Sequence, residues 1–123
     1  MQAAKKLGIE RYIMLSSIFA LQPDKWHIDG LDQILDYTIA KYFADNYLVN
    51  QSGLKYTILQ PTNLTEEEGT DKISLDVTGV TSNPIPDVAK TLAEILKHDN
   101  TIGKVIMMNS GDTPIDAASA SVK

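Results

Sequence analysis

Apolar and polar positions along the chain divide it into alternating short runs and one long periodic stretch. Tyr12 to Leu15 is a continuous apolar run, not an alternating one. Such a run fits a strand covered on both faces, the habit of parallel sheets in α/β proteins. Leu31, Ile34, Leu35, Ile39, Tyr42, Phe43, Tyr47 and Val49 then recur at helical spacing and predict a helix over 31–50. Its apolar stripe is wide, which predicts burial on more than one side. Ser52-Gly53 ends that helix, and Leu54 to Gln60 is the second strand, stopped by Pro61 because proline cannot continue a central ladder. A strand, a helix of this length and a second strand make a parallel crossover the default.

The remainder reads in the same way. Residues 72–77 alternate weakly and predict a short strand. Pro84 to Asp87 introduce a helix over 88–98, with proline in the first turn and Asp87 at the positive end of the dipole. Gly103 precedes a third apolar strand, Lys104 to Met108. Asp112 or Thr113 caps a last short helix, with Pro114 in its first turn. Residues 18–30, with Pro23, Trp26, His27 and Gly30, form a connector, and Thr62, Asn63 and Leu64 form a loop.

The start of the chain has the character of an element's end. Lys5 and Lys6 suit the negative end of a helix dipole, and Gly8 suits the left-handed position after it. A helix this short does not stand alone, since about 12–15 residues are marginal even for alanine-rich peptides. The front half of a fold is therefore expected to be absent, leaving a single partial α/β domain over 1–123.

Composition narrows the function classes. The chain has 123 residues, 43% of them hydrophobic, which suits a globular core. It carries no cysteine, so disulfides and thiolate metal sites are excluded, and His27 and His98 match no metal spacing. A net charge of -5 argues against a nucleic-acid partner. No run approaches the roughly 18 apolar residues of a membrane span, and no signal peptide is visible, so a cytoplasmic protein without a membrane partner is expected.

Two features carry candidate chemistry. Tyr37 and Lys41 stand four residues apart and share a helix face. A phenol beside an ammonium gives up its proton more readily, which suits proton exchange with a carbonyl oxygen. Ser16 and Ser17 close the first strand, at the strand end where open α/β sheets bind ligands. Strand-end serines also serve simply to turn a chain, and Tyr-x-x-x-Lys has only two fixed positions.

The order of these pieces is more specific than any one of them. Leu15-Ser-Ser17, Tyr37-x-x-x-Lys41 followed by Ala44-Asp45, Leu54 to Pro61, Asp87-Val-Ala-Lys90, Thr101-Ile-Gly-Lys104 and Gly111-Asp-Thr-Pro114 together resemble the atypical short-chain dehydrogenase/reductases. That resemblance covers nearly the whole chain. It implies the C-terminal portion of a Rossmann-like, doubly wound parallel sheet, without the N-terminal Gly-rich βαβ half. It further implies catalytic roles for Ser17, Tyr37 and Lys41. Ser17 would hydrogen-bond the substrate oxygen, Tyr37 would be the general acid/base, and Lys41 would assist Tyr37 and hold the nicotinamide ribose. Ser16, Pro61, Thr62 and Asn63 would join Tyr37 and Lys41 in binding NAD(P), the last three beside the nicotinamide. The substrate would be a small carbonyl or quinone.

One departure changes what is expected. No G-x-x-G-x-x-G occurs, and the seven glycines are scattered from Gly8 to Gly111. The backbone cradle for a pyrophosphate at a helix N-terminus is missing. The chain is thus expected to be a partial oxidoreductase-like protein. A dinucleotide-sensing module without turnover and an inert oligomeric remnant are the other readings. An exposed apolar strand edge invites another chain, so a homodimer or higher oligomer is expected through that edge or helix 31–50.

Overall fold

The computed structural model describes residues 1–18, 20–22 and 35–123. The connector residues Pro23, Trp26, His27 and Gly30, and the expected helix start at 31–34, lie outside the described residues. Helix α1 (Gln2–Lys6) ends as its lysines and glycine predict, with Gly8 at φ 74°. The Gly8 N–H donates to Lys5 O at 3.2 Å and the Ile9 N–H to Ala4 O at 2.9 Å. These two bonds satisfy carbonyls that a helix end otherwise leaves open. No residue of α1 is buried.

Strand β1 (Arg11–Leu15) is followed by α2 (Leu35–Asn50) and β2 (Lys55–Pro61). β1 and β2 pair in parallel, Ile13 opposite Thr57 and Leu15 opposite Leu59. β6 (Lys104–Ser110) continues the parallel sheet on the far side of β2, with Leu59 opposite Ile106. Beyond it the direction changes. β4 (Lys72–Leu75) runs antiparallel to β6, and β7 (Thr113–Pro114) antiparallel to β4. Among the described residues the five-stranded order is β1-β2-β6-β4-β7. The sheet is therefore mixed, with a parallel portion where the continuous apolar runs predict one.

Several boundaries differ from the sequence reading. Asn63–Thr65 is strand β3, expected as loop, and pairs in parallel with β5 (Ser82–Pro84). Helix α3 spans Ile85–Ile95, not 88–98. Pro84 is its N-cap and Pro86 lies within the first turn, where a missing N–H costs nothing. Strand β6 runs two residues past Met108, because Ser110 pairs with Ile73. Helix α4 (Ile115–Ala120) is capped by Pro114, not Asp112 or Thr113, because Thr113 and Pro114 are taken up in β7.

Alternation along β2 sends successive side chains to opposite faces. Leu59 packs with Ile106, Met108, Val88, Ile95, Ile115 and Ala118, which puts α3 and α4 on one face. Gln60 reaches Asp45 of α2, which puts that helix on the other. Helices thus cover both faces, as a doubly wound arrangement requires. Among the described residues no helix is long and apolar enough to cross a membrane.

Candidate functional site

The candidate residues gather where β1 ends and α2 passes. Thr38, Asp45 and Leu48 of α2 are buried at intervals of seven and three, so this line faces the sheet. Two of the three are polar, which explains why apolar periodicity alone describes this helix poorly. Asp45 is fully buried. Its Oδ2 accepts from Ser16 Oγ at 2.6 Å and from Gln60 Nε2 at 3.4 Å. Its Oδ1 is buried without a partner. Burial raises the Asp45 carboxyl above its ordinary range, while the bonds from Ser16 and Gln60 and the positive charge of Lys41 oppose that shift.

Ser16 is thereby turned into the protein, with its N–H donating to Leu59 O at 2.8 Å and its hydroxyl committed to Asp45. Ser17 differs. Its hydroxyl is buried and, among the described residues, has no hydrogen-bond partner. Lys41 approaches the same strand end, its Nζ donating to Leu15 O at 3.2 Å. The same ammonium lies 5.5 Å from the Tyr37 ring centroid, within cation–π range. Tyr37 itself is 49% exposed, so its phenol is open to solvent-borne ligand. Lys41 thus touches both the carbonyl end of β1 and the Tyr37 ring, and Tyr37 and Lys41 share a helix face as their spacing predicts.

The loop-side candidates are positioned differently. Pro61 is the last residue of β2, opposite Met108. The Thr62 hydroxyl donates to Asn109 Oδ1 at 2.5 Å and accepts from Asn83 Nδ2 at 2.9 Å. It is buried and internally satisfied. Asn63 is exposed, and its amide donates to Thr81 O at 3.2 Å. Asn83 also donates to Met108 O at 3.0 Å, and its own Oδ1 is buried without a partner. Sequence reasoning missed the Thr62–Asn83–Asn109 cluster, and no local signal marks it, because the three residues come from the β2–β3 junction, β5 and β6. It also gave Asp45 no role. The available signal was an acid four residues after Lys41 on the same helix line.

On the α2 face of the sheet lies a cavity of about 390 Å³, bounded by Gln60, Met107, Val77, Leu21 and Gln22 among others. Gln60 connects it to the Asp45 cluster. Among the described residues no group of His, Cys, Asp and Glu is arranged to hold a metal ion.

Residues 1–99 match the family described as NAD(P)H-binding. A Bacillus subtilis protein described as an uncharacterized sugar epimerase, YhfK, is 38% identical over 120 residues, covering 95% of this chain and 53% of that protein. The crystal structure of the oxidoreductase ylbE from Lactococcus lactis superposes with a TM-score of 0.95 at 50% identity, covering 98% of this chain and 55% of that one. A Bacillus halodurans structure described as a candidate NAD-dependent epimerase/dehydratase gives a TM-score of 0.84 at 38% identity, covering 96% of this chain and 54% of that one. The chain spans about half the length of the relatives it matches. With the family matched over 1–99 and the parallel sheet shared with these structures, the chain belongs to the NAD(P)H-binding family, as part of a Rossmann-like domain.

Proposed function

We propose that this chain is the substrate-side portion of an NAD(P)-dependent oxidoreductase, with Ser17, Tyr37 and Lys41 as its reacting groups. The observation that carries the reading is the buried Ser17 hydroxyl left without a partner, two residues past the Leu15 carbonyl that holds Lys41. A buried unsatisfied hydroxyl costs about 1–3 kcal/mol in mutational data. Such a group is expected where a ligand oxygen is its partner.

The residues present fit one end of a dinucleotide. In this reading Lys41 and Tyr37 would meet the nicotinamide ribose, and Ser17 would supply a donor for a substrate oxygen. Ser16 and Thr62 have their hydroxyls committed internally, so they would shape the pocket by holding backbone in place. The pyrophosphate end has no Gly-rich turn in this sequence. When bound, the cofactor would supply or accept a hydride. The chain's own part is to orient a carbonyl oxygen between Ser17 and Tyr37 and to pass a proton to it from the Tyr37 phenol. Lys41 keeps a positive charge beside that phenol.

The test is a calorimetric titration of the purified chain with NADPH and NADH. The expected result is binding with Kd below about 1 mM, or roughly 4 kcal/mol, weakened by Lys41→Ala. With quinones or small carbonyls added, cofactor oxidation should disappear in Tyr37→Phe while binding persists. Binding without oxidation would favour the sensing role, and no binding by either nucleotide at millimolar concentration would sink both.

A further inference from the structure

The α2 face of the sheet is covered unevenly. Ile58 and Gln60 of β2 are buried. Val105 and Met107 of β6 stand opposite them in the parallel register, yet Val105 is 38% exposed in mid-strand. Side chains alternate along a strand, so Val105, Met107 and Asn109 share this face. Helix cover on it therefore ends between β2 and β6. The uncovered stretch is the floor of the cavity of about 390 Å³. β2 separates that floor from β1.

The segment after β4 is the wall. It begins at Asp76, which adopts φ 57°, a left-handed conformation that aspartate tolerates better than most residues. Val77 and Val80 pack against Ile18 and Met107. Asn109 pins the same segment from the floor. Its Nδ2 donates to Gly79 O at 3.0 Å, and its Oδ1 accepts from Thr81 N at 3.3 Å. The wall is thus held in place by bonds within the protein. Leu21 adds a further apolar side chain, and the exposed Asp76 and Thr78 supply polar groups to the lining.

Two observations tie the cavity to the candidate reacting groups. Ile18 follows Ser17 directly and packs on Met107. Gln60 donates to Asp45, which also accepts from Ser16. Gln60 is the one buried polar side chain among those lining the cavity. Its Nε2 bond to Asp45 is the sole hydrogen bond of its side chain among the described residues, which leaves Oε1 as an open acceptor. The volume lies near the lower end of the roughly 300–1,000 Å³ of small-molecule sites, room for a ligand of on the order of ten non-hydrogen atoms. The Met107 thioether and two valines suit an aromatic ring, and the Gln60 carbonyl suits a hydroxyl on it.

We propose that this cavity binds the aryl arm of a hydroxyaryl carbonyl compound, with its ring between Val77, Val105 and Met107 and its hydroxyl donating to Gln60 Oε1. The carbonyl end is directed towards Ser17. That direction rests on the oxidoreductase reading above, whereas the ring site does not.

The test is methionine-methyl NMR of the full 123-residue chain, titrated with para-hydroxyacetophenone and with acetophenone, without dinucleotide. Met107 lines the cavity and Met108 lies in the core of the opposite face. The Met107 methyl signal is expected to shift and the Met108 signal to stay. The hydroxylated ketone is expected to bind at least about fivefold more tightly, as one added hydrogen bond would give. Gln60→Leu should abolish that preference and keep the Met107 shift. Val105→Phe, at a half-exposed strand position, fills the chamber and should weaken both ketones at least about tenfold. Circular dichroism checks the fold of each variant, and the two wild-type readings stand whether or not a variant folds. No Met107 shift at up to about 10 mM ketone overturns the proposal. Equal binding of the two ketones overturns it too, as does binding indifferent to Val105→Phe in a folded variant. Because no dinucleotide is present, failure here leaves the oxidoreductase reading standing, and failure of NADPH to bind leaves this site standing.

Discussion

The Ser16 hydroxyl donates to the Asp45 carboxylate at 2.6 Å, joining the end of β1 to the middle of α2. This bond fixes the helix line that carries Tyr37 and Lys41 against the strand end that carries Ser17. It also buries a carboxyl whose proton is held more tightly in the folded chain than in the unfolded one.

That difference makes stability depend on pH. A carboxyl raised by folding contributes stability that is fully present below its unfolded value. The contribution is lost as pH rises through the raised folded value. Asp45→Asn removes the titrating group and keeps its shape. From the ordinary carboxylate range, about pH 4, upward, the variant should gain in melting temperature relative to wild type. Parallel melting curves across the same series would show that Asp45 does not titrate in this way.

Ser17→Ala should separate structure from chemistry. The hydroxyl has no partner to lose, so removing it should leave stability unchanged or raise it by up to about 2 kcal/mol. Urea denaturation measures this. A destabilisation above about 1 kcal/mol would mean that Ser17 Oγ has a bond in solution. Any turnover of a carbonyl substrate should fall sharply in the same variant.

Asp87 holds the loop before β4 onto the start of α3. It is fully buried and accepts from Thr70 N at 3.1 Å, Thr70 Oγ1 at 3.2 Å and Asp71 N at 3.0 Å. Asp87→Ala should cost about 2–4 kcal/mol, the price of stranding donors that bonded a charge. Gly69→Ala should also destabilise, because its Cβ would lie 2.7 Å from Asp87 Oδ1. The two changes share that contact. The double variant should therefore cost less than the sum of the two, and strict additivity in denaturant would contradict the shared contact.

Two other glycines give a cleaner contrast. A Cβ on Gly111 would meet Ser74 Oγ at 2.0 Å and the Ile73 carbonyl carbon at 2.7 Å, where backbone of the sheet must yield. A Cβ on Gly79 meets nothing within 4 Å. Gly111→Ala is expected to destabilise by about 1–3 kcal/mol, and Gly79→Ala to stay within about 0.5 kcal/mol of wild type. Thermal unfolding of the two variants in one buffer decides it.

Much of the parallel portion was legible in residue order. The apolar runs at Tyr12–Leu15, Leu54–Gln60 and Lys104–Met108 became β1, β2 and β6, within one or two residues at each end. Gly8 and Gly53 adopt the left-handed conformation that helix ends favour, at φ 74° and 70°. Less was legible at β3, β5 and β7. These strands are two or three residues long, too short for any period to show, and their pairing depends on which edge lies beside them.

The sequence by itself determined the local choices: the apolar runs that became β1, β2 and β6, the glycines that end helices, and that Tyr37 and Lys41 share one helix line. Those follow from periodicity and from the backbone freedom of single residues, which neighbours along the chain set. Only the tertiary structure decided that Ser16 spends its hydroxyl on Asp45, 29 residues away, while Ser17 keeps its own free. It alone joined Thr62 to Asn109 across 47 residues, and turned β4 and β7 antiparallel. Those outcomes depend on which faces meet once the elements pack, and hydrogen bonds between distant polar groups leave no period in the sequence.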